Sequence, residues 1–189
     1  MNEIQVLLAV ETNEVTKSDD IYYTYLLRTF FGGYLKRCGH NGLFIQYHFV
    51  YMNGCNNHHS VEVNRQIRIY TNDFQGRPTF VVYCFDVDRL GRKDKEKMQA
   101  TIEQCTSDSS FVSLTCPEIE TIFGLKNSSD REGCAREFAK HYPKKDGIHA
   151  SRFFASLEEA ANTRMRSNFC TVIQEIVQKY EERQPAEHK

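Results

Sequence analysis

The chain has 189 residues, with 24 basic and 25 acidic side chains and a net charge of −1. That length suits one domain with a real core and is short for two. The balanced charge excludes a globally basic nucleic-acid binder, so any such binding has to use a local patch. Seven cysteines, an odd number without a CxxC pair, point to reduced thiols and a cytoplasmic setting. No apolar run approaches the roughly 18 residues of a membrane span, and Met1 to Gln5 lacks the charged and apolar pattern of a leader.

Ile4 to Val10 is a short apolar run, read as the first buried strand, and it ends in Glu11. An acidic residue at the end of a strand is either a functional group or a cap for the next helix. Ser18, Asp19 and Asp20 supply N-cap candidates. Ile21, Tyr22, Tyr25, Leu26, Thr29, Phe30 and Gly33 then follow at helical spacing, with a stop between Lys36 and Gly42. Tyr22, Tyr23 and Tyr25 could stack on bases, but an aromatic stripe at this spacing reads as core.

Leu43 to Tyr51 is the second strand, and Asn53 to His59 a polar loop. Cys55, His58 and His59 bring zinc to mind. Neighbouring histidines point apart in most backbones, and no second pair lies at finger spacing, so zinc is not the expected reading. Ser60 to Tyr70 reads as a helix.

Six of the seven residues from Thr79 to Phe85 are β-branched or aromatic, as in a buried strand of a parallel sheet. It runs into Asp86 and Asp88. Residues two apart on an extended backbone share a side, so the two carboxylates face one way. At the C-terminal end of a parallel strand they would sit in the crevice where open α/β sheets bind ligands. Adjacent carboxylates repel unless a proton or cation lies between them. A glutamate ending strand one and an Asp-x-Asp ending strand three therefore make an oxygen-rich site suited to Mg²⁺ or Mn²⁺.

The charge run from Arg89 to Lys97 leads a polar helix through Ile102. It reads as a solvated face, or, through Arg89, Arg92 and Lys93, as a grip on a phosphate backbone. Phe111 to Leu114 is the fourth strand, and Pro117 opens a further helix. The remainder reads as helical over 130–141, 150–164 and onward from a cap at Ser167, with Phe169, Val172, Ile173, Ile176 and Val177 as the last buried stripe. The fold class is therefore α/β, a mostly parallel four-stranded sheet flanked by helices with a C-terminal helical extension. Its divisions are a core over 1–126, an extension on the same domain over 127–182 and a flexible tail over 183–189.

Val10-Glu11 and Glu14 before a Tyr-rich helix, followed by Phe85-Asp86-Val87-Asp88, resemble the Toprim domain. Within that superfamily the chain is similar to the RloB-like group, small proteins encoded beside an ATPase in phage-defence loci. Cys116-Pro117-Glu118-Ile119-Glu120 resembles that group's proline and glutamate motif, and Ala155 to Tyr180 its terminal helices. The resemblance implies metal-assisted phosphoryl transfer: a nuclease acting on DNA or RNA with Mg²⁺ (or Mn²⁺), and an ATPase partner; a homo-oligomer is a separate option that the sequence leaves open. It maps Glu11, Asp86 and Asp88 onto the acidic triad and Glu120 onto a later metal-supporting glutamate, whose alternative is a carboxylate facing a helix dipole. Thr12 stands where the family has glycine, and Leu90 where a third acidic residue is frequent. Those departures leave an inactive, ATPase-binding subunit as the second expectation. Phe85-Asp86-Val87-Asp88 also resembles the nucleophile motif of haloacid dehalogenase-type phosphatases, but it falls on the third strand and carries Leu90 in place of Thr or Ser.

Overall fold

The computed structural model describes residues 2–15, 17–28, 42–87, 92–115 and 167–183. Within them run β1 (Asn2–Val10), α1 (Ser18–Leu26), β2 (Leu43–Tyr51), α2 (Val61–Asp73), β3 (Thr79–Asp86), α3 (Arg92–Cys105), β4 (Ser110–Thr115) and α4 (Phe169–Arg183). The strands form one sheet in the order β2-β1-β3-β4, every neighbouring pair parallel. The chain is thus an α/β protein. The expected helices over 130–141 and 150–164, the one opened by Pro117 and the stop of the first helix all lie outside the described residues.

β1 is central, and its sequence shows why. A strand covered on both faces needs apolar side chains at odd and even positions alike, and Ile4 and every residue from Val6 to Val10 are fully buried. On one face Ile4, Val6, Leu8 and Val10 pack with Tyr22, Tyr23 and Leu26 of α1, Phe80, Val82 and Cys84 of β3, and Phe169, Ile173 and Ile176 of α4. Tyr22 and Tyr23 are core, as their spacing indicated. On the other face Leu7 and Ala9 pack with Tyr83 and Phe85, covered by Val63 of α2 and Cys105, Met98 and Ile102 of α3. Fully burying a side chain the size of Ile173 or Leu8 contributes about 1.5–3 kcal/mol, so α4 is part of the core and not an appendage.

α2 begins where Ser60 caps it, its hydroxyl accepting the Val63 N–H at 3.2 Å. α1 starts differently. The cap position is Lys17, in the left-handed region at φ 48°, with no side-chain cap. Asp19 and Asp20 lie inside the first turn and turn to other partners, so they are not the caps their order in the sequence suggested.

α4 is pinned to β4 at its start. Ser167 forms an antiparallel bridge with Thr115, and its hydroxyl accepts the Phe169 N–H at 3.2 Å. The Asn168 side chain accepts the Leu114 N–H at 2.7 Å and donates to the Val112 carbonyl at 3.1 Å. A single amide thus satisfies two backbone groups on the outer side of β4.

Candidate functional site

The connections fix where a site can form. α1, which leaves β1, covers one face, whereas α2 and α3, which leave β2 and β3, cover the other. Right-handed crossovers demand this when the path runs from β1 outward to β2 and then back across to β3 and β4. Just past the C-terminal ends of β1 and β3 the chain therefore departs to opposite faces and leaves a crevice between them, the topological switch point of an open α/β sheet.

Glu11 and Asp86 stand there. β1 ends at Val10, and the pairing with the β2 side continues past it. Met52 N–H bonds to the Val10 carbonyl at 2.9 Å and Gly54 N–H to the Glu11 carbonyl at 2.8 Å. Gly54 does this at φ 107°, a conformation that side-chain-bearing residues rarely adopt. With its backbone held, Glu11 reaches across, and its Oε1 accepts the Asp86 N–H at 3.0 Å. Asp86 is the last residue of β3, in register with Thr115, and the next amide, Val87 N–H, bonds to the Thr115 carbonyl at 2.6 Å. Two positions beyond Cys84, Asp86 shares the phase of Phe80, Val82 and Cys84 and so belongs to the α1 face.

A third carboxylate arrives from α1. Asp19 is only 6% exposed, an unusual burial for an aspartate. The Cys84 thiol is pushed well up, first by burial and then by the negative charges of Asp19, Asp86 and Glu11. The Tyr23 hydroxyl is raised in the same way, by burial and then by Cys84, Asp86 and Asp19. Tyr23 and Cys84 belong to the same buried cluster. The negative charges of all three carboxylates thus bear on the buried Cys84 thiol. The helix dipole favours Asp19 and Asp20 in this first turn.

The first turn is also tied to β2. The Tyr51 hydroxyl donates to Asp20 Oδ2 at 2.5 Å, and the Lys17 ammonium sits 5.6 Å from the centre of the Tyr51 ring. Burial raises the Asp20 carboxyl above its usual range, against the opposing pull of Tyr51 and Lys17. Asp20 Oδ1 and the Thr12 hydroxyl are both buried without a hydrogen-bond partner. A buried oxygen left unsatisfied at the mouth of a crevice suits a site that takes up an ion or a polar ligand.

Of the residues proposed from sequence, Glu11 and Asp86 are brought together. Asp88, Arg89 and Glu120 lie outside the described residues, and Arg92 and Lys93 are described only as the opening backbone of α3. Asp19 was missed. A signal for it exists, because Asp19, Tyr22, Tyr23 and Leu26 share one helical face at three-, four- and seven-residue spacing. A carboxylate inside an apolar stripe is out of place unless the site uses it.

Carboxylate oxygens fit a hard divalent cation. An ionised carboxylate has about four lone-pair sites, so it can accept a backbone amide and also ligate an ion. The fold is an α/β protein with acidic residues gathered at the topological switch point of its sheet. No protein-family model, curated protein or solved structure matches this chain. Among the described residues no helix is long and apolar enough to cross a membrane.

Proposed function

We propose that this protein is a Mg²⁺- or Mn²⁺-dependent nuclease of the Toprim, RloB-like type, hydrolysing phosphodiester bonds in DNA or RNA in the cytoplasm, in phage defence alongside an ATPase partner. The observation that carries the proposal is the Glu11–Asp86 contact at the switch point. Two acidic residues 75 positions apart are joined there at 3.0 Å, where α/β sheets place their ligands.

In this reading Glu11, Asp86 and Asp88 hold the ion, with Glu120 as a further ligand. When bound, the ion supplies a polarised phosphoryl oxygen and a more acidic water. The chain's own residues do the rest. Glu11 fixes the Asp86 backbone, so the two carboxylates keep their spacing before substrate arrives. Asp19 adds negative charge from the α1 side and raises affinity for a cation. Arg89, Arg92 and Lys93 follow β3 directly and hold the phosphate backbone electrostatically. Tyr51, through Asp20, keeps the first turn of α1 against the sheet.

The test is a cleavage assay on single-stranded and duplex DNA and on tRNA with Mg²⁺ or Mn²⁺, paired with calorimetric metal titration. Asp86→Ala should abolish both cleavage and saturable metal binding while the circular dichroism of the fold is retained. Cleavage unchanged by Asp86→Ala rejects the proposal. Metal binding that depends on Asp86 without cleavage of any substrate, alone or with an ATPase partner, identifies a binding subunit instead.

A further inference from the structure

A second cluster lies on the opposite face of the sheet. His58 and His59 close the loop after β2, directly before the Ser60 cap of α2, and Cys105 is the last residue of α3. Ligand atoms of these three side chains all lie within 4.8 Å of one another. The sequence suggested that the neighbouring histidines point apart. Instead, Cys55–Asn57 forms a 3-10 turn and His58 continues in helical conformation at φ −54° and ψ −28°. The two rings meet with 4.7 Å between centroids.

The surroundings prepare the cluster for a metal. His58 Nδ1 is 2.9 Å from the Cys55 carbonyl oxygen, which can only accept. With the proton on Nδ1 that contact would leave the Nε2 lone pair for a metal, the arrangement that orients metal-binding histidines, once the Gln104 oxygen beside Nε2 moves off. Phe85 stands edge-on to His58 at 6.0 Å, and Tyr83 edge-on to His59 at 6.1 Å, so aromatic rings wall the cluster on the sheet side. Cys105 is 1% exposed, and burial pushes its thiol up to about 11. Left alone it is an inert buried thiol, and a bound cation is what makes such a group a ligand. His59 is exposed and opens the cluster to solvent. The exposed Gln104, whose Oε1 is 3.3 Å from His58 Nε2, can swing away.

We propose that His58, His59 and Cys105 form a zinc site, with water as fourth ligand, that ties the loop after β2 to the end of α3. Two imidazoles and one thiolate suit borderline-soft Zn²⁺, and the absence of a carboxylate from the triplet disfavours Mg²⁺. Bond lengths to zinc place such donors about 3.3–3.6 Å apart in a tetrahedron, so the observed spacing closes with small side-chain rotations. The Cys105 proton leaves to solvent as the sulfur binds. The site lies across the sheet from Asp86 and is independent of the proposed nuclease activity.

The experiment is a titration of the full chain, stripped by chelator and reduced, with Co²⁺ as a spectroscopic stand-in for Zn²⁺. One equivalent should give tetrahedral visible bands and a thiolate-to-cobalt charge-transfer band, both erased by added Zn²⁺. Cys105→Ser should remove the charge-transfer band. His59→Gln, at an exposed position that does not threaten the fold, should weaken binding by roughly tenfold or more. Asp86→Asn should leave the spectrum unchanged. No charge-transfer band in the wild type, a band that persists in Cys105→Ser, unchanged affinity in His59→Gln, or loss of the spectrum in Asp86→Asn would each overturn the assignment.

Discussion

Glu11 and Asp86 are joined side chain to backbone, the Glu11 carboxylate accepting the Asp86 amide at 3.0 Å. The end of one strand is latched to the end of its neighbour by a charge-assisted bond. The same carboxylate that builds the site also holds its partner in place, so structural and chemical roles can be separated by choice of substitution. Glu11→Gln keeps an acceptor oxygen for the amide and should leave stability within about 0.5 kcal/mol. Glu11→Ala deprives the Asp86 amide of its partner and should cost about 1–3 kcal/mol. If the proposed function holds, both should lose metal-dependent cleavage. Urea unfolding alongside the cleavage assay checks the pair, and equal stability of the two variants would mean the latch contributes nothing.

Asp19→Asn preserves shape while removing a buried negative charge near Asp86 and Cys84. Mg²⁺ affinity should fall roughly tenfold, since ligand charge sets affinity at oxygen sites. Calorimetry on the variant decides it, and unchanged affinity would remove Asp19 from the site.

Asp20 gives a pH dependence of defined sign. Burial raises its carboxyl above the ordinary 3.8. The folded state therefore binds this proton more tightly than the unfolded chain. The associated stability is fully present below 3.8 and is lost as pH rises through the raised folded value. Asp20→Asn, which cannot ionise, should show no such loss. The difference between variant and wild type in urea midpoint should thus move in favour of the variant as pH rises from acid to neutral. A constant difference would contradict the burial effect.

Asn168→Ala should destabilise the fold by about 1–3 kcal/mol, because it strands the Leu114 N–H and the Val112 carbonyl together. Hydrogen exchange should locate the change at the Leu114 amide. Ile173→Ala, which empties a fully buried position on α4, should cost about 2–5 kcal/mol by cavity formation.

The strands were legible because burial on both faces leaves a plain mark. Ile4 to Val10 and Thr79 to Phe85 are near-continuous apolar runs, and each needed only an extra residue or two at its ends. The placement of Glu11 and Asp86 at neighbouring strand ends was legible for the same reason, since a carboxylate that closes such a run stands at the sheet edge. Asp19 was hidden behind a local rule. Acids before a helix read as caps, and only the left-handed Lys17 shows that the helix starts earlier than a cap at Asp19 or Asp20 allows. Asn168 with Leu114, and His58 with Cys105, are long-range meetings with no local pattern to announce them. The pairing of His58 and His59 was misjudged because the 3-10 turn at Cys55–Asn57 is invisible in composition.

The Asn168 amide also limits how copies of this protein can assemble. Growth of a β-filament by strand addition requires a receptive edge at both ends of every sheet. Here β4 meets its neighbour already paired, along Val112 to Leu114, with a side chain of its own chain. Among the described residues, the outer edge of β4 is therefore closed to an incoming strand along Val112 to Leu114.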